Sequence, residues 1–326
     1  MALIWRKQVT DGTKLDGKAS IFHDIYINQK RAIRFPEEIN INQDLIDRNT
    51  MSQDEKDTFT YLVGYFLTSE LLVQNVLGES FYPYIIDPRC KQAMTVQMFM
   101  EDIHSDFFEN ILNTFSLDRE YVYSLNVTDP LIKKKQERIS TAANKISISN
   151  GWVDPDTVEG KKAILHAILL SSIIQEGIFF YSAFTLFFAM RETGRMKNVC
   201  KGIDLVLIDE SFHLKLGMEI ILGMLEETPE LTEDADFVDK IRNTIIECAE
   251  LEFEFIRNIF KWGNRFELST DEMIMYLQFI TDRRLEELSL EPQYHVARNP
   301  IKFLEKQDMT TLQNFFETTS INYTNF

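Results

Sequence analysis

A chain of 326 residues is long enough for one large domain or two small ones, and 44% hydrophobic with 26% charged residues excludes a disordered polymer. Only 12 Gly and 8 Pro leave little material for the many turns of an all-β protein. The net charge of −17 sets the chain against nucleic acid and anionic membranes as partners, because like charges repel.

Three scattered cysteines, Cys90, Cys200 and Cys248, form no C-x-x-C pair, so a reducing cytoplasm is the expected compartment. The opening MALIWRKQVTDG lacks the apolar run of a signal peptide. Residues 1–50 read as mixed and loop-rich, with FPEEININQDLID extended and polar. Ser52 and Glu55 form a capping box that opens a helix to about Tyr82, broken by Pro83 and Asp87-Pro88. A second helix covers about Arg89 to Phe115, and shorter ones follow Leu117 and Asp129-Pro130. Asp156 and Glu159 cap a long apolar helix that Gly194 ends. Further helices cover about Val199 to Glu227, Asp234 to Trp262 and Thr270 to Leu288.

The apolar run, residues 163–190, is long enough to span a bilayer. Gln175 and Glu176 sit at its centre, however, and no second comparable run exists. A helix apolar all round also fits the centre of a large helical domain, and that is the reading adopted. In either setting Glu176 is buried and needs a proton, a cation or a metal to neutralise it.

Two histidines carry a Glu three residues upstream, in Glu101-Asp-Ile-His104 and Glu210-Ser-Phe-His213. Residues i and i+3 share a helix face, so each motif aims a carboxylate and an imidazole the same way. Glu70, in YLVGYFLTSELLVQNVL, is flanked by large apolar residues as Glu176 is. The chain order Glu, Glu-x-x-His, Glu, Glu-x-x-His is the known ligand set of the ferritin-like carboxylate bundles. Four carboxylates are neutralised by two divalent cations, and an oxygen-rich shell with one imidazole per metal suits iron or manganese. The fold class expected is all-α, a ferritin-like helical bundle with a dinuclear metal site between four core helices. It would form one domain over residues 1–308, followed by a tail, residues 309–326, that is mobile at its end.

The segments FPEEINI, SELLVQN, MEDIHSDFF, QEGIFFYSAF, LIDESFHLKLG, ITDRRLEELSL, NPIKFLE and NFFE carry a resemblance to a known family. From about Phe22 to Phe316 the chain resembles the small, radical-generating subunit of class I ribonucleotide reductase. The resemblance implies metal ligands at Glu70, Glu101, His104, Glu176, Glu210 and His213, with Glu101 and Glu210 bridging. It implies that Asp209 orients His104 through a hydrogen bond. It also implies a homodimer, a separate large subunit that reduces ribonucleotides, and an activating flavoprotein in some members.

The chain departs from the family at two places. Phe108 stands one turn after His104, where most members have the radical-bearing Tyr, and it has no phenolic proton to lose. The resemblance is therefore to the tyrosine-less class Ic branch, in which an oxidised Mn/Fe cluster stores the equivalent; Mn/Mn and Fe/Fe centres stay open. Arg34 stands where the family has a relay Trp, and Trp5, Trp152 and Trp262 are read as packing residues. In the tail, Tyr323 is the candidate electron relay and Phe326 the apolar anchor. A ligand-binding oxidase of the same fold, a metal store, and an inactive structural paralogue are the alternatives.

Overall fold

The structure is a computed structural model that describes residues 20–150, 152–261 and 263–304. The helices start where the sequence supplies side-chain caps. In α3 (Gln53–Val76) the Ser52 hydroxyl accepts from the Glu55 amide, and the Glu55 carboxylate accepts from the Ser52 amide. In α4 (Pro88–Thr114) Asp87 accepts from the Arg89 and Cys90 amides, and Pro88 fills the first position, where no amide is needed. Asp118 caps α5 (Arg119–Thr128), and Asp129 followed by Pro130 opens α6 (Pro130–Ile146).

The long apolar segment is one continuous helix in three parts. They are α7 (Val158–Ile168), a π-helical stretch (Leu169–Phe179) and α8 (Phe180–Glu192). Thr157, rather than Asp156 or Glu159, caps it by accepting from the Gly160 amide. Gly194 ends it at φ +86°, a left-handed turn that glycine adopts without strain. Of its most apolar window 89% is buried, so the segment is a core helix. Then come α9 (Lys197–Glu227), the single turn α10 (Glu230–Glu233), α11 (Ala235–Ile259) and α12 (Thr270–Glu287). Among the described residues there is no strand, only an isolated Arg265–Leu268 bridge in a turn.

Four elements form the centre: α3 packs on α4, α4 on α9, and α9 on the π-helical stretch. A second layer of α11 and α12 covers the π-helical stretch, while α5 and α6 cover α3. The close approach of α9 to the stretch needs Gly217, where a Cβ would collide with the Ser172 side chain.

The N-terminal segment differs from the sequence expectation. It contains α1 (Ile21–Ala32), which packs across α4 and α9, then 3-10 turns at Pro36–Glu38 and Ile41–Asp44, and α2 (Leu45–Thr50). Ser20 caps α1. The residues FPEEININQDLID are thus coiled rather than extended, because Asp44 and Asp47 are used from a distance. Asp44 accepts from the Asn198 and Val199 amides at 2.8 and 2.7 Å, and Asp47 accepts from the Met196 amide at 2.8 Å. A hydrophobic periodicity search does not see a cap supplied by residues so far back in the chain.

His166, on α7, is half-buried with Nε2 3.4 Å from the Thr244 hydroxyl. Burial pushes its pKa down to about 4, and Lys240, Lys145 and Arg138 add to the shift. Between that value and the ordinary 6.5 the unfolded chain binds a proton that the native chain refuses. Stability from this source therefore falls as pH drops through the window. Thermal unfolding at about pH 7 and about pH 5 should show the variant His166→Gln losing less stability on acidification than the wild type.

Candidate metal centre

Each central element delivers its share of one cluster. Glu70 comes from α3, Glu101 and His104 from α4, Glu176 from the π-helical stretch, and Glu210 and His213 from α9. All six are buried. Donor atoms form two groups, one of Glu70, Glu101, His104 and Glu210, the other of Glu101, Glu176, Glu210 and His213, each with its atoms within 4.8 Å of one another. Glu101 and Glu210 belong to both, the arrangement that bridging carboxylates need.

His104 Nδ1 lies 3.2 Å from Glu210 Oε1, 3.4 Å from Glu101 Oε2 and 3.8 Å from Glu70 Oε2. His213 Nδ1 lies 3.0 Å from Glu101 Oε1 and 3.6 Å from Glu210 Oε2. On its outer side His104 Nε2 is 3.1 Å from Asp209 Oδ2, so the ring donates there and keeps Nδ1 for the cluster. Gln97, one turn before Glu101, donates to Glu176 Oε1 at 3.0 Å and Glu101 Oε1 at 3.5 Å. Sequence reading missed Gln97, although its i, i+4 spacing from Glu101 placed it on the ligand face.

The residues fit a pair of metal ions by what they leave unsatisfied. Both oxygens of Glu70 and of Glu210, one each of Glu101 and Glu176, and Nδ1 of both histidines have no hydrogen-bond partner. Such a concentration of orphaned buried acceptors is costly unless cations complete it. Burial pushes Glu70 and Glu176 well above the usual carboxylate range, and the charge of Glu210 adds to the shift in both. Burial also opposes charge on Glu101, but His213 and His104 outweigh it and hold that carboxyl well below its usual range. At the imidazoles burial opposes charge as well, yet Asp209 and Glu101 at His104, and Glu101 and Glu210 at His213, hold both well above their usual value. Protons thus occupy, in the metal-free chain, the electrostatic role that divalent cations would take.

Phe108 is fully buried one turn past His104 and stacks on Phe66 at 4.7 Å. Arg34 lies at the surface, donating to the Arg31 and Ile33 carbonyls at 3.1 and 2.7 Å. Trp152 is half-exposed and stacks on Tyr84 at 4.3 Å, a packing role. Tyr323, Phe326, Trp5 and Trp262 lie outside the described residues.

Four central helices that converge six carboxylate and imidazole side chains define the class: a ferritin-like carboxylate bundle. Residues 17–300 match the family described as ribonucleotide reductase, small chain. The subunit beta of ribonucleoside-diphosphate reductase from Chlamydia pneumoniae is 30% identical over 301 residues, 91% of this chain and 86% of that one. Among solved structures, the ribonucleotide reductase R2 subunit from Clostridium botulinum has a TM-score of 0.80 at 21% identity, covering 89% of this chain and 88% of that one. An R2-like ligand-binding oxidase with an aerobically reconstituted Mn/Fe cofactor has a TM-score of 0.63 at 17% identity, covering 84% of this chain and 95% of that one. The chain belongs to the ribonucleotide reductase small-chain family.

A metal ion entering this cluster would have to displace the protons held by Glu70, Glu176 and the two imidazoles, so its affinity should rise with pH. Calorimetric titration with manganese or iron under anaerobic conditions should show tighter binding and proton release at about pH 7.5 relative to about pH 6. The variant Glu176→Ala should lose at least one of two bound ions, measured by metal analysis, with its helical circular dichroism retained.

Proposed function

We propose that Glu70, Glu101, His104, Glu176, Glu210 and His213 bind a dinuclear Mn/Fe centre, with Mn/Mn and Fe/Fe as the alternatives. The chain then serves as the tyrosine-less small subunit of a class I ribonucleotide reductase. The observation that carries this reading is the pair of donor groups sharing Glu101 and Glu210, with Phe108 buried one turn past His104 in place of a phenol. When bound, such a centre supplies one oxidising equivalent, generated from an oxygen species, for use on a separate large subunit.

The residues of this chain prepare that chemistry. Asp209 fixes the tautomer of His104 and leads outward from the cluster, which makes it the first candidate of an electron path. Gln97 orients Glu176 through its hydrogen bond. Phe66, Phe108, Phe180 and Phe184 form a buried aromatic group that includes the ring one turn past His104, with Phe66 packed 4.7 to 5.0 Å from the other three. Phe108 cannot lose a proton, so it cannot hold a neutral phenoxyl radical.

The family's division of labour places the catalytic thiols and nucleotide site on the large subunit, with which a cytoplasmic homodimer of this chain would assemble. A flavoprotein activator belongs to the same reading if the centre is dimanganese. Domain limits at 1–308 and a docking tail at 309–326, with Tyr323 as relay, complete it. The reductase is favoured over the oxidase because the relative at 30% identity carries the reductase name, whereas the oxidase is similar in fold alone.

Two outcomes test this. After activation, electron paramagnetic resonance should give a signal with metal hyperfine structure; a sharp, metal-independent tyrosyl spectrum would overturn the storage role. Deleting the segment from Ser320 to Phe326 should abolish nucleotide reduction with the large subunit while leaving metal content unchanged. Full turnover by the shortened chain would remove the tail from the path.

A further inference from the structure

Buried cations outside the cluster differ in what they hold. Lys135, on α6, closes an ion pair with Glu252 of α11, its Nζ 2.6 Å from Oε2. Arg284, on α12, is 3% exposed and reaches the element that carries Glu176. Its Nε donates to the Gly177 carbonyl at 3.1 Å, one residue past Glu176. Nη1 donates to both oxygens of Glu287, at 2.8 and 2.6 Å, which steadies the guanidinium from its own helix.

Gly177 stands close to the point where the widened register ends. The Phe180 amide still donates five residues back, to Gln175, whereas α8 begins at Phe180 itself. The same guanidinium lies 5.4 Å from the centre of the Tyr181 ring, on α8. Arg284 therefore faces both sides of the change in register. A carbonyl has two lone pairs, so Gly177 can accept from Arg284 whatever bond it makes within its helix. Glycine at this position leaves room for the approach. A Cβ built there would lie 3.1 Å from Arg284 Nε and 2.9 Å from Leu214 Cδ1, on α9.

Register decides where Glu176 points. π-helical turns are rare and occur mostly as short insertions in α-helices. Each residue of an α-helix advances by about 100° around the axis. Tightening the stretch by one residue would therefore swing Glu176 away from Glu101, Glu210 and His213.

We propose that Arg284 is a positioning residue for Glu176. Its bond to the Gly177 carbonyl holds the widened register that brings Glu176 into the second donor group. The metal readout of this role rests on the dinuclear reading, whereas the register itself does not.

The test compares full-length wild type, Arg284→Met, Arg284→Lys, Glu176→Ala and Arg284→Met/Glu176→Ala. In the metal-free chains, hydrogen–deuterium exchange is read by mass spectrometry. Peptides covering residues 175–182 should exchange about tenfold faster in Arg284→Met, the scale of one charged hydrogen bond. Peptides covering residues 101–108 of α4 should keep wild-type rates, whereas a general loosening would speed both. Arg284→Lys, which keeps a cation and a donor, should fall between. Anaerobic calorimetric titration with manganese should show one of two binding events weakened about tenfold in Arg284→Met and the other unchanged. The double variant should bind no worse than Glu176→Ala, because a residue acting through Glu176 then has nothing to position. If the wild type binds no metal, the dinuclear reading fails and the exchange comparison alone decides the role of Arg284. Glu287→Gln, at an exposed position, replaces Arg284→Met if that chain does not fold, with a smaller change in the same direction. Unchanged exchange across 175–182, equal acceleration in both sets of peptides, weakening of both ions, or additive losses in the double variant overturns the proposal.

Discussion

Everything in this molecule is arranged around the cost of placing four carboxylates in a dry interior. An isolated buried carboxylate is expensive, and four converging ones are untenable unless protons or cations neutralise them. The structure meets that constraint with two imidazoles and with donor atoms left open towards a common centre. The same constraint explains the elevated proton affinity of Glu70 and Glu176. A core that only had to be stable would contain leucine at these positions. Acidic groups at such depth make sense as a ligand shell.

Holding the shell in register falls to the rest of the fold. The π-helical stretch Leu169–Phe179 carries Glu176, and such widened turns occur preferentially at functional sites. Gly217 lets α9 approach it closely enough for Glu210 and His213 to share a site with Glu176. Asp44 and Asp47 fasten the N-terminal segment to the first turn of α9, which makes a distant part of the chain a support for one ligand helix. Asp209 and Gln97 then orient individual ligands. The precision of the centre thus comes from caps and close approaches rather than from its ligands alone.

Family membership and site geometry answer different questions. The match over residues 17–300 fixes the family, and the likeness to solved structures at 17–21% identity fixes only the fold. Phe108 sets a buried ring without a phenolic proton one turn past His104.

The sequence by itself determined the helical class, the main helix limits and the six acids and histidines that the fold gathers into one buried cluster. Caps such as Ser52 and Asp87 act within three residues, and Glu-x-x-His aims two ligands from one helix face, so both are local and therefore legible. The long apolar segment with Glu176 at its centre was equally legible, because an acid in such a run has few physical explanations. The role of the N-terminal fifty residues was not, since Asp44 and Asp47 act on amides about 150 positions away in sequence. Nor was the Lys135–Glu252 pair, whose members lie on separate helices and look in sequence like ordinary surface charges. The π-helical widening and the Gln97–Glu176 bond likewise exist only once α4, α9 and the apolar helix have packed. Local rules write the clustered acids and imidazoles into the chain, but long-range packing decides which buried charges meet, because their meeting depends on distances that no sequence spacing records.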